Sequence, residues 1–233
     1  MPNVALLSEV NPLSQLHVSY KPKFAPTDLT YLALQGKFPL FDELSKKIFK
    51  AEIDVISKHV QELGKYLIIR EHSHSDFLVG DSSSDVSIIK KLLKDDYPLL
   101  CVLTVRHPVD SYLSLISNEG WTHFTPTTFD EYCKRYLLFI EHNKHVPVYK
   151  YENFLANPES EINLLCKTLK LPFNEDFRDI FDLNAMSGDS GRASNTITAR
   201  ERREYDGHFL AEAENSTNFA ALCKALDYES SLG

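Results

Sequence analysis

The sequence predicts an α/β fold in which helices flank both faces of a parallel sheet. The first observation is the alternation of short apolar segments, typical of buried strands, with longer segments whose apolar residues recur at helical spacing. Strands separated by helices form βαβ units, in which the strands run parallel. The composition is the second observation, because 233 residues with 43% hydrophobic and 25% charged content suffice for a substantial core. We therefore predict one three-layer α/β domain over residues 1–233.

Four strands are predicted, and a polar residue stands at or next to the end of each one. Parallel strands present their carboxyl ends at one edge of the sheet, where α/β proteins place their functional groups. The end residues are Glu9, His72, Arg106 and Tyr151. We expect these side chains to converge. The predicted strands cover residues 4–9, 65–72, 99–105 and 146–152.

The helices are predicted from apolar spacing and from their boundary residues. Gly64 is a stop for the long helix before it, and Pro108 fits the first turn of a helix that we expect to begin near Val109. Thr128 and Glu131 have the spacing of a capping box, which opens another helix. The remaining predicted helices cover residues 28–35, 41–63, 86–94, 157–169 and about 209–228.

The segment 99–114 carries the strongest chemical signal. Its apolar strand runs into Arg106, and Pro108 then ends the strand and opens a helix. The free N–H groups and positive dipole end of that helix favour anions beside the guanidinium, with the hydroxyls of Ser111 and Ser114 in the next turns. We predict an anion site here, with phosphate as the favoured ligand. The alternative is structural, because Arg-x-Pro follows apolar strands in many α/β proteins.

Charge and cysteine usage limit the classes of partner. A net charge of −8 argues against broad binding of nucleic acid or anionic membranes, so an anionic ligand needs a focused site. The four cysteines are widely spaced and form no Cys-x-x-Cys pair, which indicates reduced core thiols in the cytoplasm. No apolar run approaches the roughly 18 residues of a membrane helix. We predict a cytoplasmic protein without a membrane span or a nucleic-acid partner.

Three segments together resemble sulfotransferases that use 3′-phosphoadenosine-5′-phosphosulfate (PAPS). Arg106 and Ser114, eight residues apart across a strand-to-helix turn, resemble the pair that holds the 3′-phosphate in that family. Segment 149–158 resembles the strand whose Tyr-Glu pair lies beside the adenine, which implies that Tyr151 contacts the base. Segment 187–192 is similar to the late loop that closes over the 3′-phosphate.

The late loop supplies the phosphate ligands for which the resemblance is weakest. The resemblance implies that Arg192 and Ser190 also contact the 3′-phosphate, and a loop of small residues can fold its N–H groups around such an anion. The alternative is an exposed loop followed by a solvated run of charges. Tyr151 likewise has a structural alternative, as a buried core tyrosine.

The resemblance implies the sulfotransferase fold, which is related to that of P-loop nucleoside-triphosphate hydrolases. It implies transfer of a sulfuryl group from PAPS to a hydroxyl or amine, with 3′-phosphoadenosine-5′-phosphate (PAP) as product and no metal. The acceptor would be a small molecule, a carbohydrate or a lipid. Such a reaction needs a base to remove the proton of the acceptor.

Two residues are candidates for that base. His72 matches the catalytic histidine of cytosolic sulfotransferases, although Arg70-Glu71-His72 replaces their Lys-x-His. Glu9 matches the glutamate that serves as base in other branches. We favour His72, since an imidazole has its ordinary pKa near neutrality. The alternative is a polar loop with two exposed histidines.

One family feature is missing, namely the first strand with its Ser/Gly/Thr-rich loop around the 5′-phosphosulfate. In the family sheet order 2-3-1-4-5 this strand is central, so its loss would leave unpaired backbone groups that cost about 1–3 kcal/mol each. We therefore expect that Met1 is internal to a longer native protein, or that a strand from a second copy fills the gap in a homodimer. Without either, the chain would be a non-catalytic PAP-binding relic or scaffold.

A competing interpretation comes from the segment that follows the second strand. His72, His74 and Asp76 resemble the start of the H-x-H-x-D-H motif of metallo-β-lactamase-like hydrolases, and two imidazoles with a carboxylate could bind zinc. Phe77 stands next in the sequence, where that motif has a histidine. A metallo-hydrolase would leave Arg106 and the segment around Tyr151 unexplained.

Overall fold

The computed structural model describes residues 3–14, 27–80, 87–117, 123–179 and 197–232. These residues form a mixed α/β fold and fall into two compact units. The N-terminal unit contains described residues 3–14, 27–75 and 87–99, and the C-terminal unit contains 76–80, 100–117, 123–179 and 197–232. The single domain over 1–233 stays a prediction.

A parallel pair of strands forms the sheet of the N-terminal unit. Strand β1 (Val4–Val10) pairs with β2 (Tyr66–Glu71), in a register that places Val4 opposite Tyr66. The register shifts between Leu7 and Val10, where Glu9 has a positive φ of 59°. This bulge makes the end of β1 irregular. The helices of this part of the chain are α1 (Leu29–Gln35), α2 (Phe41–Glu62), α3 (Ser73–Phe77), which follows β2, and α4 (Ile88–Leu93).

The predicted boundaries of these helices are close to the observed ones. Gly64 follows α2 with φ of 66°, a left-handed conformation that glycine adopts without strain. Ser87 caps α4, since its Oγ accepts a hydrogen bond from the N–H of Lys90 at 3.0 Å. The core of the unit consists of buried residues from α2 and α4, namely Phe49, Ile53, Ile89 and Leu93.

A second parallel pair forms the sheet of the C-terminal unit. Strand β3 (Leu103–Val105) pairs with β4 (Val148–Lys150). The helices are α5 (Pro108–Ile116), α6 (Phe129–His142), α7 (Tyr151–Ala156), α8 (Pro158–Thr168), α9 (Gly207–Asn215) and α10 (Thr217–Leu226), with a short 3₁₀ turn at Glu175–Arg178. Aromatic and aliphatic side chains from α5, α6, α9 and α10 make the core, with Val109, Phe129, Phe219 and Leu222 at most 1% exposed.

The two sheets contain the strand pairs that the predicted order implies. Removing strand 1 from the order 2-3-1-4-5 leaves the pairs 2-3 and 4-5, which correspond to β1–β2 and β3–β4. Within the described part of the chain, no further strand pairs with β2 or with β3. The three-layer arrangement and the relation to the P-loop fold stay predictions.

Both strands of the C-terminal unit are shorter than predicted. Residues 99–102 lie outside β3, and Leu100 is half exposed, because only three residues on each strand have a partner. Tyr151 does not end β4 but begins α7 directly after it. An apolar run alone cannot show how many of its residues find a neighbouring strand.

The single helix predicted for about 209–228 is also wrong, since α9 and α10 replace it. Ser216 separates them with extended backbone, and its Oγ accepts a hydrogen bond from the N–H of Phe219 at 2.9 Å. The same hydroxyl donates to Asp130 Oδ1 at 2.5 Å, and this bond is the main cause of the lowered pKa of Asp130. The new helix α10 therefore begins after Ser216, whose side chain is hydrogen-bonded to Asp130 of α6.

Two expectations from composition concern the cysteines and the helices. All four cysteines are free thiols, of which Cys133, Cys166 and Cys223 are buried and Cys101 is partly buried. None of the described helices combines the length and the apolar character needed to cross a membrane.

Candidate functional site

The turn between β3 and α5 is shaped by His107. This residue is 8% exposed and caps α5, since its Nδ1 accepts a hydrogen bond from the N–H of Val109 at 3.3 Å. Its Nε2 therefore carries the proton and donates to the carbonyl of Glu229 at 3.2 Å. Burial lowers the pKa of His107, which keeps the imidazole neutral. Pro108 follows as the first helical residue, as the sequence predicts.

Glu152 holds the same turn from α7. Its Oε1 accepts a hydrogen bond from the backbone N–H of His107 at 2.9 Å, and its Oε2 accepts one from the hydroxyl of Tyr228 at 2.6 Å. Burial, followed by the neighbouring Glu152, raises the pKa of Tyr228, so the phenol keeps its proton. One carboxylate thus joins the turn to the segment after α10.

Arg106 directly precedes His107, and its side chain contacts the aromatic ring of Tyr151. Its guanidinium carbon is 5.6 Å from the centroid of that ring, within the range of a cation–π contact. The side chain is partly buried, and none of the ion pairs within the described ranges involves it. Tyr151 as a whole is 39% exposed. In the part of the chain that the structure describes, Arg106 is therefore a positive charge without a carboxylate partner, next to a partly exposed tyrosine.

Two further side chains near this turn, Tyr132 and Arg202, are buried and ion-paired, respectively. Burial raises the pKa of Tyr132 well above its ordinary value, although the hydroxyl of Ser111 and the charge of Arg106 act in the opposite direction. Arg202 forms a two-bond ion pair with Asp110 in the first turn of α5, with Nε–Oδ1 at 3.0 Å and Nη2–Oδ2 at 3.4 Å. Within the described ranges, Arg106 is therefore an arginine next to the start of α5 that has no ion-pair partner, whereas Arg202 has one.

The candidate bases lie at the ends of the two strands in the N-terminal unit. The backbone N–H of His72 donates to the carbonyl of Val10 at 2.9 Å, which joins the end of β2 to the end of β1. His72 Nδ1 is 2.7 Å from Ser75 Oγ, and Ser75 Oγ donates to Ser14 Oγ at 2.8 Å. Glu9 forms an ion pair with Arg70. Parallel pairing therefore brings both predicted bases to adjacent strand ends.

The metal-ligating alternative is not supported by the geometry. His72, His74 and Asp76 fall on and just before the short helix α3, where residues two positions apart point in different directions. The His72 and His74 ring centroids are 5.7 Å apart. In the described ranges, no three His, Cys, Asp or Glu side chains are grouped so that they could hold a metal ion.

Comparison with known proteins gives a structural neighbour but no sequence relative. No protein-family model matches the chain, and no curated protein matches it. A sulfotransferase domain from the curacin biosynthetic pathway superposes with a TM-score of 0.51 over 86% of this chain and 75% of that domain, at 14% identity. The chain has a sulfotransferase-like fold. At this identity the likeness concerns the fold alone.

The structure describes five of the seven predicted site residues. His72 and Glu9 come together in the N-terminal unit, and Arg106 and Tyr151 come together in the C-terminal unit. Ser114 lies two turns into α5, partly buried, and within the described residues no hydrogen bond joins it to Arg106. Ser190 and Arg192 lie outside the described residues.

Local sequence patterns do not reveal the residues that support these side chains. Glu152 belongs to the Tyr-Glu pair of segment 149–158, but only the fold shows that its carboxylate holds the turn at His107. Ser14 and Ser75 carry no local signal, because they are 61 residues apart in the chain. Arg202 lies in a run of charged residues that indicates only a solvated surface, whereas in the structure it pairs with Asp110 on α5.

Proposed function

We propose that the protein is a sulfotransferase that transfers the sulfuryl group of PAPS to a hydroxyl or amine and releases PAP. The observation that carries the proposal is Arg106, a partly buried cation at the start of α5 with no ion-pair partner in the described part of the chain. The aromatic face of Tyr151 beside it gives this cation the surroundings of a nucleotide site. The sulfotransferase-like fold supports the proposal at the level of architecture.

The described residues fit the 3′-phosphoadenosine end of PAPS. A guanidinium binds a phosphate through two parallel hydrogen bonds, and the start of α5 adds its dipole to the same charge. Tyr151 would stack on the adenine, and Ser114 would donate its hydroxyl to the phosphate. Ser190 and Arg192 remain further expected ligands. PAPS itself supplies an activated sulfuryl group bonded to its 5′-phosphate.

His72 would act as the base of the reaction. It would take the proton of the acceptor hydroxyl or amine while the acceptor atom bonds to sulfur, and the electrons of the broken sulfur–oxygen bond would leave on the 5′-phosphate of PAP. Glu9 is the second candidate, but its carboxylate already binds the Arg70 guanidinium. We favour His72 because its imidazole can accept and lose a proton near neutral pH.

A non-catalytic PAP-binding protein is the second candidate function. The described glycines, Gly36, Gly64, Gly80 and Gly207, are isolated from one another, so the described residues include no glycine-rich loop for the 5′-phosphosulfate. The site around Arg106 would then bind the nucleotide without turnover. For either function, we expect the protein to be cytoplasmic. We also expect a homodimer as one possible oligomeric state. For the enzyme, the acceptor would be a small molecule, a carbohydrate or a lipid.

Calorimetric titration of the chain with PAP tests the proposal. We expect a dissociation constant in the micromolar range that rises about 10- to 100-fold in Arg106→Ala, the cost of one or two charge-assisted hydrogen bonds. Arg178→Ala is the matched control, since Arg178 is exposed, lies in the same unit and contacts Phe177. Equal binding by Arg106→Ala and the wild type would overturn the proposal. Binding without sulfuryl transfer to any acceptor of a hydroxyl and amine panel would favour the PAP-binding candidate.

A further inference from the structure

We propose that Ser75, held by Ser14, is a positioning residue that fixes His72 in the tautomer protonated on Nδ1. This inference rests on the proposed function, in which His72 is the base. It assigns a positioning role to two serines, and it predicts which ring nitrogen of His72 accepts the proton. All three residues lie in the N-terminal unit, and their contacts carry the argument.

The direction of two hydrogen bonds determines the tautomer. Ser75 Oγ donates to Ser14 Oγ at 2.8 Å, and a hydroxyl has one proton to donate. The 2.7 Å contact between Ser75 Oγ and His72 Nδ1 therefore needs its proton from the imidazole. In a neutral ring with Nδ1–H, Nε2 carries the lone pair. Nε2 is then the atom that takes a proton from the acceptor.

The hydrogen-bonded series Ser14–Ser75–His72, called the relay below, is fixed in place at each of its three residues. Ser14 closes a turn in which its N–H donates to the carbonyl of Asn11 at 3.2 Å, and the Asn11 side chain accepts from the N–H of Leu13 at 2.9 Å. Fully buried Ser45 of α2 donates to the carbonyl of Pro12 in the same turn. This turn directly follows β1, so the sheet and α2 fix the position of the Ser14 hydroxyl.

The other two members are held by the end of β2. The N–H of His72 donates to Val10 of β1 at 2.9 Å, and the N–H of Ser75 donates to the carbonyl of His72 at 3.0 Å. Backbone hydrogen bonds therefore set the spacing between the imidazole and the hydroxyl. An imidazole in water favours the proton on Nε2, the opposite tautomer, which cannot accept a proton there. The relay reverses this preference before any substrate binds, which is how a preorganised base avoids reorganisation during the reaction.

The serine variants make distinct predictions. Ser14→Ala leaves the Ser75 proton without its acceptor, so Ser75 turns to donate to His72 Nδ1 and the ring shifts to the Nε2-protonated form. Ser75→Ala removes the partner of Nδ1 and gives a mixture of tautomers. Ser75→Thr keeps the hydroxyl and the wild-type tautomer. Ser73→Ala is the matched control, since Ser73 is exposed on the same helix.

Long-range ¹H–¹⁵N spectra of the ¹⁵N-labelled chain, at a pH where imidazoles are neutral, test the tautomer directly. The chain has nine histidines, and the His72→Gln spectrum assigns the signal of His72. We expect a protonated-type Nδ1 and an unprotonated-type Nε2 in the wild type, Ser75→Thr and Ser73→Ala, with the reverse pattern in Ser14→Ala. A protonated Nε2 in the wild type, or no change in Ser14→Ala, would show that the relay does not set the tautomer.

Turnover separates this inference from the proposed function. In an active preparation, we expect kcat to fall about tenfold or more in Ser14→Ala and Ser75→Ala, with unchanged PAP affinity and with recovery in Ser75→Thr. The expected tautomer together with no sulfuryl transfer by the wild type would overturn the proposed function and leave the relay as a structural feature. Unchanged kcat in Ser14→Ala, despite a reversed tautomer, would overturn the positioning role itself.

Discussion

Glu152 accepts a hydrogen bond from the backbone N–H of His107 at 2.9 Å, across 45 positions of the sequence. The second oxygen of the same carboxylate accepts from Tyr228, 76 positions further on. The turn that presents Arg106 therefore depends on a residue from α7 and on the segment after α10. Removal of this carboxylate should loosen the turn from both sides.

The first prediction concerns Glu152 and stability. We expect Glu152→Ala to lower the free energy of unfolding by about 2–4 kcal/mol, since two hydrogen bonds to a charged acceptor are lost at a partly buried position. Tyr228→Phe removes only one of these bonds and should cost about 1–2 kcal/mol. Urea denaturation at neutral pH measures both. Equal losses in the two variants would mean that the bond to the His107 N–H contributes nothing.

The second prediction concerns His107 and pH. Burial lowers the pKa of His107 in the folded protein, so below the ordinary histidine pKa the unfolded chain binds a proton that the folded chain does not. Its contribution to stability is therefore complete above that pKa and is lost as the pH falls through it towards the folded value. The slope cannot exceed about 1.4 kcal/mol per pH unit for one group.

Urea denaturation between pH 8 and pH 5 tests this sign with a matched variant. His107→Asn keeps an N-cap acceptor for Val109 but does not titrate. We expect the wild type to lose more stability than His107→Asn over this range. An equal loss in both proteins would assign the pH dependence to other groups.

The sequence predicts the parts of this fold that depend on local signals. Pro108 opens α5, Gly64 follows α2 with positive φ, and the Thr128 side chain accepts from the N–H of Glu131 at 3.3 Å, half of the expected capping box. Glu131 does not complete the box, because its carboxylate binds Lys134 and buried Arg135. A local sequence pattern shows which partners a side chain could have, and the tertiary contacts determine which of them it binds.

The parts that the sequence could not predict depend on distant contacts. An apolar segment predicts a strand at 99–105, but only Leu103–Val105 finds a partner in β4, and the strand is short for that reason. The Ser75–Ser14 hydrogen bond likewise joins segments 61 positions apart. Both predicted bases are placed at strand ends by the pattern of β1 and β2, whereas the orientation of His72 follows from a turn that carries no motif.

The third prediction asks which part of the nucleotide Arg106 binds. Adenosine 5′-phosphate lacks the 3′-phosphate, so we expect it to bind the wild type about 10- to 100-fold more weakly than PAP. The Arg106→Ala variant should bind the two nucleotides with similar affinity, because the group that distinguishes them has lost its partner. Calorimetric titration of the wild type and of Arg106→Ala with each nucleotide gives the four dissociation constants that this comparison needs. An Arg106→Ala variant that still prefers PAP as strongly as the wild type would place the 3′-phosphate elsewhere.

The fourth prediction concerns Asp110, whose carboxylate lies in the first turn of α5 and pairs with Arg202. A negative charge there stabilises the helix but repels an anion that binds near its start. We therefore expect Asp110→Asn to bind PAP a few-fold more tightly, because Arg202 loses its partner and the local charge becomes more positive. The same variant should lose about 0.5–1 kcal/mol of unfolding free energy.

Glu159→Gln is the matched control for Asp110→Asn, since Glu159 is an exposed acid in the first turn of α8 in the same unit. It should lose similar stability without any change in PAP affinity. Raising the ionic strength should reduce the affinity gain of Asp110→Asn, because salt screens partly exposed charges. If Asp110→Asn weakens PAP binding instead, the Asp110–Arg202 pair supports the shape of the site, and electrostatic repulsion is not its main effect.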